Sequence, residues 1–324
     1  MNFSVQAMAL SFILFLGYHS IKPSTSTDSK ISKIEDRKTE FRYDGERSDY
    51  IMTKSSTRKK LEIDSRIIGG REVSAHTFPY VASLYIYNFD DKAVFCGGSL
   101  ISLRLVLTAA HCPDGAYYID VLLGAHNIRS IESSRINYRT KKWFIHEDWT
   151  RDTLKHDIAI IKLPERVELN DFISIVSFAK TIEDFSEENG LCLGWGKIND
   201  GSASPVLRSV DLLVISNKKC TRYKIYENVV SDSQFCTSGN GIVGSCNGDS
   251  GGPFIINGTL VGLVSFGIND CNAGYPSIYT KVAYYKEWIE RILRTNKSVR
   301  LIINTGILFS SIFIVFLDKC TYVI

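Results

Sequence analysis

Hydrophobic residues in this chain occur mostly in short runs that are separated by glycine and asparagine turns. Five runs beyond residue 67 contain six to nine residues each: Tyr80–Tyr87, Ser99–Leu107, Ile158–Leu163, Val210–Ile215 and Thr259–Phe266. Short strands at such spacing are typical of an all-β sandwich or barrel. Asn257-Gly258, between Pro253–Ile256 and Thr259–Val264, predicts a tight hairpin turn. Around Tyr284–Leu293 the apolar residues recur with a helical period instead, which predicts one amphipathic helix.

The first 66 residues differ in composition from this predicted β region. Residues 1–20 contain the apolar stretch Ala7–Leu16 and no charged side chain, which predicts a secretory signal peptide. A buried helix is the alternative, but a charged segment follows directly. Residues 21–66 are rich in Ser, Thr, Lys, Asp and Glu and contain no cysteine. We expect this segment to be disordered, because it buries too little apolar surface to offset the entropy of ordering.

A second apolar run, Leu301–Leu317, lies in the C-terminal tail, residues 298–324. Its seventeen residues are the lower limit for a membrane-spanning helix, and polar residues interrupt the run. Three interpretations stay open: a spanning anchor, a lipid-anchor signal that is removed, and a tail that packs on the protein surface. The sequence therefore leaves membrane tethering undecided.

Charge and cysteine usage narrow the class of protein. The formal net charge is +3, and Lys22–Arg66 accounts for it with twelve Lys or Arg against nine Asp or Glu. Because the remainder is balanced, nothing indicates a nucleic-acid partner. All eight cysteines lie from Cys96 onward, which favours disulfides and a secreted, extracellular protein. The sequence alone leaves 105 complete pairings open.

Three short motifs carry the candidate chemistry. Gly248–Pro253 reads GDSGGP, and its glycines allow a tight turn that exposes Ser250 together with nearby backbone N–H groups. Such N–H groups can bind a developing oxyanion while a serine hydroxyl attacks a carbonyl carbon. Thr108–Cys112 reads TAAHC and His156–Ile160 reads HDIAI, which add a histidine and an aspartate.

With His111, Asp157 and Ser250 in this order and with these flanks, the chain resembles the chymotrypsin (trypsin-like) family of serine proteases. The resemblance implies two six-stranded antiparallel β-barrels with the active site between them and a C-terminal helix. It also implies a serine endopeptidase in which His111 is the general base and acid and Asp157 orients its ring. The backbone N–H groups of Gly248 and Ser250 would form the oxyanion hole.

The resemblance further implies that the protein is made as a zymogen with domains at residues 21–66 (activation propeptide) and 67–297 (protease). Cleavage after Arg66 would free the amino group of Ile67, which would enter the protein and pair with Asp249. A buried pair of this kind forms only when both charges exist. A basic linker running into a strand is the alternative interpretation of this segment.

Specificity in the family depends on a few positions. Gly244 stands where trypsin-type members carry an aspartate, so a buried Arg or Lys of the substrate would find no partner. Gly267 would keep the pocket mouth open, and Ser277 would narrow its base. Ser265 matches the residue that helps to bury and bond the aspartate. We therefore expect cleavage after large apolar or aromatic residues, with an elastase-like preference for small residues as the variant.

The resemblance selects three disulfides from the possible pairings: Cys96–Cys112, Cys220–Cys236 and Cys246–Cys271. The family partner of Cys192 aligns with Ile256, so Cys192 is expected to be a free, buried thiol. No role is assigned to Cys320.

No cofactor and no metal ion are expected. Leu123–Arg135 aligns with the family's calcium loop, but Ala125 and Arg135 stand at two positions where acidic ligands are needed. Sequons at Asn257 and Asn296 predict glycan sites in a secreted chain. The histidines outside the motifs, such as His126, His146 and His156, are expected to have surface or structural roles.

The expected partners are protein or peptide substrates, protein protease inhibitors and an upstream activating protease with basic specificity. A non-catalytic homologue that acts as a binding or adaptor module is the alternative function. Such homologues usually lose a member of the triad, whereas His111, Asp157 and Ser250 are all present here. A membrane-tethered processing protease differs from the secreted enzyme only in the tail.

Overall fold

A computed structural model describes residues 70–90, 92–198, 202–241, 244–268, 270–271 and 273–296. The chain divides into two units, residues 1–60 and 61–324, and every described residue lies in the second unit. The predicted signal peptide, the propeptide with Arg66 and Ile67, and the C-terminal tail with Cys320 lie outside the described residues. Within the described residues, no helix is long and apolar enough to cross a membrane.

The described residues are mainly strands joined by short turns. The strands are β1 (Arg71–Glu72), β2 (Val81–Tyr87), β3 (Ala93–Ser102), β4 (Leu105–Thr108), β5 (Tyr118–Leu123), β6 (Ile136–Thr140), β7 (Trp143–Ile145), β8 (Ala159–Lys162), β9 (Asn189–Gly194), β10 (Arg208–Ile215), β11 (Gln234–Thr237), β12 (Pro253–Ile256), β13 (Thr259–Phe266) and β14 (Ser277–Lys281). The structure also contains a short helix, α1 (Asn217–Cys220), and two 3₁₀ turns, Lys224–Tyr226 and Val282–Tyr285. A final helix, α2, covers residues 286–296.

The strands form two antiparallel sheets of unequal closure. The second sheet is a closed six-stranded barrel with the strand order β9-β10-β11-β14-β13-β12. The short strand β1 pairs with the first two residues of β10. The first sheet has the order β6-β5-β2-β3-β4-β8-β7 and is a curled half-barrel. The mostly β fold with its C-terminal helix is confirmed, with one closed barrel where two were expected.

Two sequence patterns, the apolar run Ser99–Leu107 and the turn pair Asn257-Gly258, can be compared directly with the structure. The run Ser99–Leu107 is not one strand: β3 ends at Ser102 and β4 begins at Leu105, because the chain turns at Leu103 and Arg104. The turn is hidden in an apolar run because both strands that flank it are buried. The hairpin at Asn257-Gly258 is confirmed, with φ angles of 48° and 73° at its two turn residues.

Each sheet encloses its own apolar cluster, and a third cluster joins the sheets. Leu105 and Ile158 of the first half contact Leu193, Trp195 and residues of α2 in this joining cluster. At one point the backbones themselves meet, since a Cβ atom on Gly97 would lie only 2.8 Å from the Cα atom of Gly252. This contact brings the Ser250 turn against β3.

The helix α2 is amphipathic, as the sequence period predicts. Trp288, Ile289 and Ile292 are buried in the joining cluster, whereas Glu287 and Arg291 are exposed. The indole N–H of Trp288 donates to Glu147 Oε2 over 2.8 Å. The helix therefore packs against the loop that follows β7, on the chain segment that leads to Asp157.

Candidate active site

His111 and Asp157 are brought together by two adjacent strands. His111 follows β4, Asp157 precedes β8, and these strands pair along Leu105–Thr108 and Ala159–Lys162. The Nδ1 atom of His111 lies 2.8 Å from Asp157 Oδ2, and its backbone N–H donates to Asp157 Oδ1 over 2.9 Å. Two bonds to one carboxylate fix both the position and the ring orientation of the histidine.

The Asp157 carboxylate is fully buried and has further partners from the closed barrel. Ser265 Oγ donates to Asp157 Oδ2 over 2.5 Å, and Thr280 Oγ1 donates to its main-chain carbonyl over 2.8 Å. Both residues belong to strands of the second sheet, β13 and β14. The aspartate is therefore held at the junction of the two halves, where a buried carboxylate needs several donors.

The pKa of His111 is raised above its ordinary value. Burial acts in the opposite direction, because it disfavours the charged imidazolium, but the attraction and hydrogen bond of Asp157 outweigh it. Such an imidazole can accept a proton from a neighbouring hydroxyl and keep it while the charge is stabilised by the carboxylate.

Ser250 occupies a tight turn whose shape depends on glycine. Gly248 and Gly251, on either side, have φ angles of 101° and 73°, which L-residues with side chains rarely adopt. A Cβ atom on Gly251 would also overlap Thr108 Oγ1 of the TAAHC motif. The backbone N–H of Gly97 donates to the Ser250 carbonyl over 2.7 Å. The serine turn is thereby seated against the segment that carries His111.

The backbone N–H groups of this turn divide into two classes. Those of Asp249, Gly251 and Gly252 donate to protein carbonyls, at distances of 2.8 to 2.9 Å. Those of Gly248 and Ser250 have no acceptor within the described part of the chain. Two N–H donors without an acceptor, on the turn that carries a serine hydroxyl, are groups that can bind a developing oxyanion.

The described residues include three disulfides, Cys96–Cys112, Cys220–Cys236 and Cys246–Cys271. The first joins β3 to the residue after His111, and Cys112 Sγ lies 3.7 Å from the Ser250 carbonyl oxygen. The third joins the segment before Ser250 to the loop after β13. Cys192 is a free, buried thiol, as predicted, and burial raises the pKa of this thiol.

A cavity of about 180 Å³ opens beside Ser250. The described residues of its lining carry no charged side chain: Ser245, Cys246, Asn247, Ser250, Val264, Ser265, Phe266, Gly267, Ile268 and Cys271. A Cβ atom on Gly244 would lie 3.1 Å from Ser277 Oγ, and one on Gly267 would lie 3.9 Å from the same atom. The Ser277 hydroxyl therefore lies between these two glycines. Larger surface cavities exist, but they lie away from His111, Asp157 and Ser250.

Comparison with known proteins agrees with this geometry. The family model described as Trypsin matches residues 67–289. Brachyurin from Leptuca pugilator is 41% identical over 228 residues, which are 69% of this chain and 97% of brachyurin. Trypsin I-P1 from Gallus gallus is 35% identical, over 72% of this chain and 92% of that protein. The chain belongs to the trypsin family of serine endopeptidases.

A solved trypsin-like structure, described as HL collagenase, superposes with a TM-score of 0.65. It is 32% identical to this chain and covers 70% of it, and the match spans 98% of that structure.

Asp249, next to the candidate nucleophile of this protease, is completely buried. Its two carboxylate oxygens accept backbone N–H groups of Gly196 and Cys246 over 2.8 and 2.9 Å. Burial raises the pKa of Asp249 to about 6, although these two bonds act against the rise. Within the described residues no cation contacts this carboxylate. A Cβ atom on Gly194 or Gly196 would overlap it, so both glycines are needed to form its chamber.

The loop aligned with the family's calcium loop and the two predicted glycan sites also lie within the described residues. In the loop aligned with the family's calcium loop, the Glu132 carboxylate accepts the backbone N–H groups of His126 and Asn127 over 2.7 and 2.9 Å. Asn257 is exposed at the hairpin turn. The Asn296 side chain donates to the Ile292 carbonyl at the end of α2.

Sequence reasoning missed several residues that shape the site. Thr280 bonds to Asp157, and Thr108 lies against the serine turn. The Asp249 carboxylate lies against Gly194 and Gly196. Each of these residues lies far along the chain from the group it contacts. The Gly-Trp-Gly sequence at Gly194–Gly196 was the available signal, since two glycines beside a buried tryptophan indicate a close approach.

Proposed function

We propose that this protein is a secreted zymogen whose active form cleaves peptide bonds after large apolar or aromatic residues. One observation supports this specificity most strongly: among the described residues, the lining of the cavity beside Ser250 carries no charged side chain. The resemblance to the family would place Gly244 and the nearby Ser277 hydroxyl at the base of this pocket. A guanidinium or ammonium group that entered it would lose its hydration without gaining a carboxylate. An apolar side chain would lose nothing of that kind.

In the proposed reaction, His111 removes the Ser250 proton as the hydroxyl attacks the substrate carbonyl. The Asp157 carboxylate, held by Ser265, keeps the Nδ1 proton in place and stabilises the imidazolium that forms. The oxyanion is bound by the N–H groups of Gly248 and Ser250. His111 then returns its proton to the leaving amine, and water hydrolyses the acyl-enzyme by the same steps in reverse.

Activation by cleavage after Arg66 belongs to the same proposal. The Asp249 carboxylate occupies a closed chamber with two hydrogen-bond donors and no cation among the described residues. The ammonium group of Ile67 would supply the missing positive charge. A buried carboxylate gains several kcal/mol from such a partner, because either charge alone is costly to bury. The expected activator is a protease that recognises arginine, and protein protease inhibitors are expected ligands of the active form.

Two other functions fit parts of the molecule. An elastase-like enzyme would follow if Ser277 closes the base of the cavity to all but small side chains. A non-catalytic homologue would keep the fold and bind partners, but the contacts among His111, Asp157 and Ser265 favour a catalytic protein. Substrate profiling distinguishes the elastase-like enzyme from the proposed one. Loss of turnover in any triad variant would exclude the non-catalytic homologue.

Trypsin-family proteases with disulfides are typically secreted, and we propose this location. Tethering through Leu301–Leu317 is a second possibility for the same enzyme. Full-length protein and a version truncated after Lys297 are expressed and fractionated into cells and medium. Equal amounts of both in the medium, at full mass, are expected for a free enzyme. Retention of the full-length protein on membranes would instead assign the anchor to the tail.

The specificity is tested with trypsin-activated protein and peptides that differ only in the residue before the scissile bond. Phe, Tyr and Leu are expected to exceed Arg by at least about a hundredfold in kcat/KM, since a buried unpaired charge costs several kcal/mol. The matched variant Gly244→Asp is expected to gain activity on Arg. A wild-type preference for Arg would contradict the proposed pocket.

A further inference from the structure

Two histidines and one aspartate lie together at the base of the loop between β7 and β8. His146 follows β7 directly, His156 precedes Asp157, and Asp148 lies on the same loop. One ligand atom from each of the three side chains lies within 4.8 Å of the other two. Two imidazoles and a carboxylate are a donor set typical of Zn²⁺ and similar transition metals, and unsuited to Ca²⁺ or Mg²⁺.

Both histidines are held in place by hydrogen bonds to neighbouring groups. The Tyr285 hydroxyl lies 3.2 Å from His156 Nδ1, which fixes that ring and leaves its Nε2 atom for another partner. The backbone N–H of Asp148 donates to His146 Nδ1 over 3.2 Å, so this nitrogen carries a lone pair rather than a proton.

The exposure of Asp148 and the charge around it are also suitable for binding a metal ion. The Asp148 side chain is 70% exposed and its Oδ2 atom lies 4.0 Å from His146 Nδ1, so a side-chain rotation can bring the carboxylate to an ion. Glu147, next to it, adds a negative charge, although that charge is shared with Arg291. A second group, Cys96, His111 and Cys112, cannot bind in this way because its cysteines form a disulfide.

We propose that His146, Asp148 and His156 bind a zinc-like divalent transition metal, with water in the fourth position. Around tetrahedral zinc, ligand atoms lie about 3.3 Å apart, as follows from bond lengths of about 2.0 to 2.1 Å. Binding therefore draws the three side chains together and displaces the Asp148 N–H bond to His146. The ion would link the end of β7 to the residue before Asp157.

A metal ion at this position can affect turnover through Asp157. This expected effect rests on the proposed function. His156 has a φ angle of 56°, and its carbonyl accepts the Ile158 N–H over 2.8 Å, so it shares a tight turn with Asp157. A movement of His156 toward an ion shifts the Asp157 carboxylate relative to His111. We expect zinc to lower turnover of the activated enzyme.

Binding is measured first, by titrating Zn²⁺ into the full-length Ser250→Ala protein in a calorimeter, so that the result does not depend on proteolysis. One ion per chain is expected at this site, and His146→Gln and Asp148→Asn should each weaken binding at least about tenfold. Asp152→Asn, which removes another exposed carboxylate of the same loop, should not. Asp148 is exposed, so its variant remains informative if His146→Gln fails to fold.

Unchanged affinity in both variants would overturn the site, as would a loss of binding in His111→Gln alone, which would assign the ion to the catalytic histidine. The second measurement follows turnover of activated wild-type enzyme as zinc is added. Inhibition that is reduced in Asp148→Asn and retained in Asp152→Asn is expected. Zinc binding at this site without a loss of turnover would overturn the coupling to Asp157.

Discussion

The hydroxyl oxygen of Ser277 lies 3.1 Å from the point where a Cβ atom on Gly244 would stand. The two residues come from segments more than thirty positions apart, and we propose that they form the base of the cavity beside Ser250. Neither supplies a charge. A side chain larger than that of glycine at position 244 would press against Ser277, so the pair would set both the polarity and the depth of the proposed base.

Ser277→Gly should deepen the pocket. Because differences of one small group in a pocket are worth about 1 to 3 kcal/mol, we expect the kcat/KM ratio of a Tyr peptide to an Ala peptide to rise about tenfold. The Ala peptide serves as the internal control, since its short side chain does not reach the base. An unchanged ratio would show that Ser277 does not limit the pocket.

The pH dependence of activity should follow His111. Only the neutral imidazole can act as the general base, so kcat/KM is lost as the pH falls through the pKa of this residue. Since Asp157 raises that pKa, the midpoint should lie above the ordinary histidine value of 6.5. In Asp157→Asn the midpoint should move down and kcat should fall about 10⁴-fold. A midpoint well below 6.5 in the wild type would contradict the contact between the two side chains.

Asp249 should make the uncleaved protein sensitive to pH. Its folded pKa of about 6 is above the ordinary 3.8, so its protonation favours the folded state: the contribution is fully present below 3.8 and is lost as the pH rises through about 6. The interval corresponds to about 3 kcal/mol. In uncleaved Ser250→Ala protein, the unfolding free energy should fall by that amount relative to Ser250→Ala with Asp249→Asn between pH 4 and 7.

The same comparison after cleavage provides the control. Once the Ile67 ammonium pairs with Asp249, the charged carboxylate is stabilised and the pH-dependent loss should shrink or reverse. A difference between the two proteins that stays constant from pH 4 to 7, before and after cleavage, would exclude an unpaired buried charge at Asp249.

The sequence was informative where function needs fixed residue types at close spacing. The motifs around His111, Asp157 and Ser250 predicted the contact between His111 and Asp157 and the tight turn at Ser250. Asn257-Gly258 predicted its hairpin because few other pairs accept positive φ twice. Contacts between distant segments had no such local signal. Thr280 bonds to the Asp157 main chain, and Gly196 lies against Asp249, only because the strands of the closed barrel carry them there.

The limits of periodicity appear at Leu103 and Arg104. The turn there lies within an apolar run, because β3 and β4 are both buried and a buried strand has no alternation. Nothing in the sequence indicated that the first sheet stays open, because closure of a sheet depends on which end strands meet rather than on their composition.

The protein should be unable to activate itself. The proposed activation bond follows Arg66, but the described lining of the cavity beside Ser250 has no carboxylate for an arginine side chain. Burying the guanidinium without a partner costs several kcal/mol and therefore orders of magnitude in rate. Purified zymogen is incubated alone and with trace trypsin while the Ile67 amino terminus is quantified. Rapid cleavage without trypsin, absent in Ser250→Ala, would show that the pocket accepts arginine.

The most direct test of the account is the turnover of Ser250→Ala. Wild-type and variant protein are activated with trypsin, the trypsin is removed, and hydrolysis of a Phe peptide is followed together with thermal melting. The proposed mechanism predicts that kcat falls by about 10⁶-fold. The melting temperature should stay within a few degrees, because the Ser250 side chain supports no structural bond among the described residues. Equal turnover in the two proteins would contradict the assignment of Ser250 as the nucleophile.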